Sequence, residues 1–108
     1  MADKSSPLEI TMDRDGDDVR LVVAGEIDLE TCASLSEALS EVVTSRHVAL
    51  DLTDVGYMDS TGLRTILAAK EEIEQAGGTL EVAAASTIVS RLIDISGVSE
   101  LLVQQPDA

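Results

Sequence analysis

The sequence contains no tryptophan and no phenylalanine, and Tyr57 is its one aromatic residue. A core must therefore be filled by Leu, Ile, Val, Met and Ala, and no aromatic platform exists on which bases or sugar rings could stack. Cysteine is equally scarce. Cys32 stands alone, so no internal disulfide can form, and the first residues do not pair basic side chains with an apolar run as a secretory signal does. The longest apolar runs, such as Leu21 to Ala24 and Val82 to Ala85, fall far short of the roughly 20 residues needed to cross a bilayer. Positive charge is the last shortage: 7 basic residues against 21 acidic ones leave a formal net charge of −14, which repels phosphate backbones and anionic membrane surfaces. A direct nucleic-acid reader and a membrane-associated protein are both excluded on these grounds. What is left is a cytoplasmic protein whose acidity keeps it soluble or meets a basic face on a protein partner.

A length of 108 residues, 44% of them hydrophobic, suits one domain spanning residues 1–108, with residues 1–6 and 104–108 as loose termini. Leu8, Ile10 and Met12 alternate with polar neighbours. After the turn signal Asp15-Gly16, Val19, Leu21 and Val23 alternate again, which predicts a hairpin whose second strand ends at Gly25. From Asp28 the period lengthens. Cys32, Leu35, Leu39 and Val42 fall on one face of a helix that Asp28 is placed to cap, with Cys32 packed in the core. Val48, Leu50 and Leu52 form the next strand, closed by Asp54 and Gly56. A second helix carries Leu63, Ile66, Leu67 and Ile73 and stops at Gly77-Gly78. Leu80 and Val82 mark a further strand, and Ser86 caps a third helix bearing Ile88, Val89, Leu92 and Ile95. Leu101 to Val103 reads as an edge strand or docking segment. Strands alternating with helices after an opening hairpin predict an α/β fold with a mixed, mostly parallel sheet. Because the strands alternate rather than run apolar throughout, the helices should pack mainly on one face.

In such folds sites form beyond the carboxyl ends of parallel strands. Two acidic loops should meet there: Gly25-Glu26-Ile27-Asp28, and Tyr57-Met58-Asp59-Ser60-Thr61-Gly62-Leu63. The second puts two hydroxyls on the first turn of a helix, where unpaired N–H groups and the positive end of the macrodipole suit a phosphate on Ser60. Spacing alone does not show a switch and favours the plainer reading, in which Asp59 or Ser60 is a helix cap and nothing more.

Other chemistries fit less well. His47, the one histidine, begins a strand and is badly placed to serve Ser60 as a base. Met58 stands where a nucleophile elbow requires glycine. Asp51, Asp54 and Asp59 are reminiscent of a magnesium site, but no lysine completes that arrangement. Glu71, Glu72 and Glu74 form a solvated face. Neither an enzyme, nor a cofactor, nor a metal is indicated.

Taken together, Gly25-Glu26-Ile27-Asp28, Tyr57-Met58-Asp59-Ser60-Thr61-Gly62-Leu63, Gly77-Gly78 and Arg91-Leu92-Ile93-Asp94-Ile95-Ser96-Gly97 resemble the landmarks of bacterial anti-sigma-factor antagonists of the STAS-domain family, across nearly the whole chain. The pattern is most similar to the stress-response antagonists. The resemblance implies a single STAS domain and a partner-switching role. The unmodified protein would bind an anti-sigma factor that is also a serine kinase and so free a sigma factor; phosphorylation would end the interaction and a serine phosphatase would reset it. By position, Ser60 is the implied phosphoacceptor, with Thr61 its neighbour. Asp28 matches a position that supports phosphorylation and partner contact, and the implied partner-binding set is Asp28, Asp59, Ser60, Thr61 and Gly62. Arg64 departs from the small residue common there and stands one helical turn from Ser60, which leaves two readings open: a cation that pairs with a phosphate there, or a solvated side chain. The competing reading is a STAS scaffold that does not switch, or a module that binds a small anion.

Overall fold

In the computed structural model, residues 8–98 and residue 101 are described. Period-two alternation builds a hairpin: β1 (Leu8–Asp15) pairs antiparallel with β2 (Asp18–Ile27), so that Ile10 faces Val23 and Met12 faces Leu21. Then follow α1 (Cys32–Glu41), β3 (His47–Met58), α2 (Ser60–Gln75), β4 (Thr79–Ala85) and α3 (Thr87–Ile95). The sheet order is β1-β2-β3-β4, with β2, β3 and β4 mutually parallel. This is the mixed, mostly parallel sheet expected from the alternation of elements.

One sheet face is apolar in register: Val19, Leu21 and Val23 of β2 lie beside Val48 and Leu50 of β3, which lie beside Leu80 and Val82 of β4. Helices α1 and α2 close over it with Leu35, Leu39, Ile66 and Ile73, all buried in one cluster. Each such side chain contributes about 1.5–3 kcal/mol by leaving water. The alternate positions, Glu9, Thr11, Asp13, Arg20, Glu81 and Ala83, are exposed.

Several boundaries differ from the sequence reading. Strand β2 continues past Gly25 to Ile27, and β3 passes through Asp54 and Gly56 to Met58. The cause is irregular pairing. The β2–β3 register shifts between Val22 and Ala24 and again between Gly25 and Glu26, each time adding a residue to β3. These bulges convert the spacing of buried residues from two (Val48, Leu50, Leu52) to three (Val55, Met58) while keeping them on the core side. Gly25 itself has φ 118°, a conformation that L side chains rarely adopt.

Helix α1 begins at Cys32 with Thr31, not Asp28, at the cap position. Cys32 is half-buried rather than in the core, its Sγ 3.4 Å from the Leu29 carbonyl. On α3 the buried residues are Val89 and Ile93, whereas Ile88 and Ile95 are 48% and 82% exposed. Pairing of β4 stops at Ala85 opposite Leu52. There Ser86 takes over the edge of β3, its N–H donating to Leu52 O at 3.1 Å and its Oγ to Val55 O at 2.7 Å. That edge turns the helix, and the side facing the core is displaced from the one that spacing indicated. Leu101 is buried in the core; Val103 and the expected loose termini, residues 1–6 and 104–108, lie outside the described residues. No helix among the described residues is long and apolar enough to cross a membrane.

Candidate functional site

The last paired residues of β2 and β3 are Ile27 and Met58, so the segments that follow them leave the sheet side by side. A backbone bond ties them together, from Asp59 N–H to Ile27 O at 3.1 Å. The two acidic loops therefore do meet at the carboxyl end of the parallel strands.

Asp59 is the N-cap of α2. Its backbone is extended, and Oδ1 accepts the Gly62 N–H at 3.1 Å, satisfying one donor of the first turn. Ser60 is the first residue of the helix and is exposed. With the cap supplied by its neighbour, the Ser60 hydroxyl is not used as the cap. Thr61 is half-buried and borders a groove of about 330 Å³ between α1 and α2, also lined by Ser36, Ser40, Arg64, Thr65 and Glu72.

Gly62 was expected among the residues that touch a partner, and it is buried instead. A Cβ there would lie 2.5 Å from Ile27 Cγ2 and 3.0 Å from Met58 Cγ. Only glycine lets the first turn of α2 settle this closely on the end of β2. Its place is beneath the site, holding the two loops together.

Asp28 is half-buried and its carboxylate is occupied locally: Oδ1 accepts from Glu30 N–H at 3.0 Å and Thr31 N–H at 3.1 Å. The buried Thr31 locks this turn, its Oγ1 donating to Glu26 O at 2.8 Å and accepting from Asp28 N–H at 2.9 Å. Thr31 was missed in the sequence because a lone threonine between Glu30 and Cys32 carries no periodic signal. Exposed Glu26 and Glu30 complete an acidic rim, and Leu29 and Tyr57, 74% and 47% exposed, add apolar surface beside it.

The remaining polar candidates lie elsewhere. His47 starts β3, at the opposite end of the strand from Met58 and about 36 Å away at the usual rise per residue; its Nδ1 is 2.8 Å from Thr79 Oγ1. Asp51 is held by Thr53, through its N–H and hydroxyl, and by Arg20 at 2.6 Å. The Thr53 hydroxyl, then its N–H, and Arg20 keep the Asp51 carboxyl below its ordinary range. Glu71, Glu72 and Glu74 are exposed, and Glu74 pairs with Lys70 one turn earlier.

A family model described as "Mlab, STAS domain" matches residues 10–104. The chain is 37% identical over 92 residues to the anti-sigma-B factor antagonist of Listeria monocytogenes, covering 83% of this chain and 81% of the relative. Its fold matches the crystal structure of an anti-sigma factor antagonist from Mycobacterium paratuberculosis with a TM-score of 0.80 and 25% identity, over 95% of this chain and 91% of the other. The Bacillus protein SpoIIAA in its phosphorylated form shares the fold at a TM-score of 0.72 and 16% identity, over 92% of this chain and 93% of that one.

Proposed function

This chain belongs to the STAS domain family, and on that footing we propose that it is an anti-sigma-factor antagonist switched by phosphorylation at Ser60. The observation that carries the proposal is the exposed Ser60 hydroxyl on the first turn of α2, beside a cap supplied by Asp59. In the unmodified state, Asp28, Asp59, Ser60 and Thr61 present a surface of neutral hydroxyls within an acidic rim, supported from below by Gly62. An anti-sigma factor with serine kinase activity binds this surface and releases its sigma factor. Transfer of the γ-phosphoryl group of ATP to Ser60 Oγ, with ADP leaving and the hydroxyl proton passing to the kinase, ends the interaction. A serine phosphatase restores it. The stress-response class fits the sigma-B antagonist relatives. The protein works in the cytoplasm as a single domain, without catalysis of its own.

Phosphorylation adds roughly −1.5 to −2 charges to a rim that already contains Glu26, Asp28, Glu30 and Asp59. The partner must then desolvate a dianion where it had accommodated a hydroxyl. A loss of about 3–5 kcal/mol, usual for a mismatched buried polar contact, weakens binding by roughly a hundred- to several-thousand-fold. No refolding is needed, because the acceptor lies outside the core.

The test is to mix the chain with the candidate kinase and ATP, locate the added phosphate by mass spectrometry, and measure complex formation for Ser60→Ala and Ser60→Asp. Phosphate at Ser60, with binding kept by the Ala variant and lost by the Asp variant, is the expected result. No phosphate on the wild-type chain, or equal binding by the two variants, overturns the switch.

A further inference from the structure

Arg64 follows Ser60 by four positions on α2, so the two side chains stand on the same face of the helix. It is exposed and makes no ion pair among the described residues, whereas Arg20 pairs with Asp51 and Lys70 with Glu74. The charged side chains of the two loops that meet beside Ser60 are acidic: Glu26 near the end of β2, Asp28 and Glu30 between β2 and α1, and Asp59 at the cap. Asp28 and Asp59 already accept backbone N–H groups. Glu72, which lines the α1–α2 groove together with Arg64, lies two turns further along and forms no ion pair with it among the described residues. A phosphate on Ser60 would thus meet one cation within reach on its own helix, in the favourable order with the anion N-terminal to the cation.

Building on the reading of Ser60 as the acceptor, we propose that Arg64 is the positioning residue of the phosphorylated form. Its guanidinium, a planar fork suited to phosphate oxygens, pairs with phosphoserine 60 across the first turn of α2. It holds the group as a dianion and draws it along the helix toward the groove that Thr61 and Arg64 border. The modification then alters the shape of the docking surface beside α1 as well as its charge.

The test installs phosphoserine at position 60 during translation, in the full chain and in Arg64→Gln and Arg64→Lys, and follows the second ionisation of the phosphate by ³¹P NMR. A nearby cation favours the dianion, so the second pKa should lie about 0.3 lower in the wild type than in Arg64→Gln, about a twofold change in the ionisation constant. Arg64→Lys should recover most of the difference, and high salt should shrink it. Identical titration of the wild-type and Gln forms overturns the proposal. No kinase is involved, so that result leaves the Ser60 switch untouched, and failure of the kinase experiment is read separately. A residue with only a structural role would change the melting temperature of the unmodified protein and leave the phosphate titration unmoved.

Discussion

Replacing Gly62 by alanine places a methyl group where α2 lies closest to β2. Helix propensity alone favours alanine by about 1 kcal/mol, so in an open helix the substitution would stabilise. Here the new carbon lies 2.5 Å from Ile27 Cγ2, about 0.9 Å short of the 3.4 Å at which ordinary contact begins. Ile27 is fully buried, and Cγ2 branches directly from its Cβ, so the methyl cannot swing aside without moving the end of β2. Met58 Cγ, at 3.0 Å, belongs to a flexible chain and yields more easily. Overpacking of this kind costs about 1–3 kcal/mol, enough to outweigh the propensity gain. We expect Gly62→Ala to destabilise by about 1–2 kcal/mol, which lowers the melting temperature by about 4–8 °C for each kcal/mol. Ile27→Leu removes the Cγ2 branch and by itself costs less than about 1.5 kcal/mol. In the double variant the clash is gone, so the two effects should fall short of their sum by at least about 0.5 kcal/mol. Urea unfolding of all four proteins supplies the cycle. A more stable Gly62→Ala variant, or strict additivity with Ile27→Leu, refutes the close approach as the reason for glycine.

Three further outcomes follow from the hydrogen bonding. Thr31→Val keeps the shape but strands Asp28 N–H and Glu26 O; it should cost about 1–3 kcal/mol in urea unfolding while Thr31→Ser stays close to the wild type, and equal losses in both would count against the hydroxyl. Ser86→Ala removes the bond to Val55 O and the cap of α3; a loss of about 1–2 kcal/mol with faster amide exchange at Val89 is expected, and unchanged exchange would contradict it. The Asp51 carboxyl has its pKa lowered from 3.8 in the folded state, so it stabilises the protein above that value, and the contribution is lost as pH falls through the folded pKa. The advantage of the wild type over Asp51→Asn should therefore be constant near neutrality, begin to shrink as pH approaches 3.8 and fall away below it; shrinkage already near neutrality in stability curves would point to another group. Because Arg20 is 53% exposed, removing that arginine should matter less than removing Thr53.

The order of elements was legible in the chain because each is amphipathic with its own period. Leu8, Ile10 and Met12, or Leu63, Ile66 and Ile73, reveal a buried face without knowledge of what covers it. Asp59-Ser60-Thr61-Gly62 was visible as a loop entering a helix, and the Ile27–Met58 pairing brings it beside Gly25-Glu26-Ile27-Asp28, as the parallel order required. The ends of β2 and β3 were not legible, since Asp54 and Gly56 are stop signals by local propensity and only the bulged pairing with β2 carries the strand through them. The exposure of Ile88 and Ile95 was hidden for a related reason: Ser86 docks on the edge of β3 and sets the rotation of α3.

By itself the sequence determined the alternating architecture, the acidic surface and the hydroxyl at the start of α2, because periodicity, charge and capping chemistry are local properties. Tertiary structure alone decided that Asp59 caps the helix and leaves Ser60 exposed, that Asp28 is engaged in a turn locked by Thr31, and that Gly62 lies beneath the site. The burial of Gly62 depends on how closely α2 approaches the end of β2, a distance that no stretch of sequence encodes; the Asp59 cap and the Asp28 turn are short-range bonds that spacing allowed without choosing between them and their alternatives.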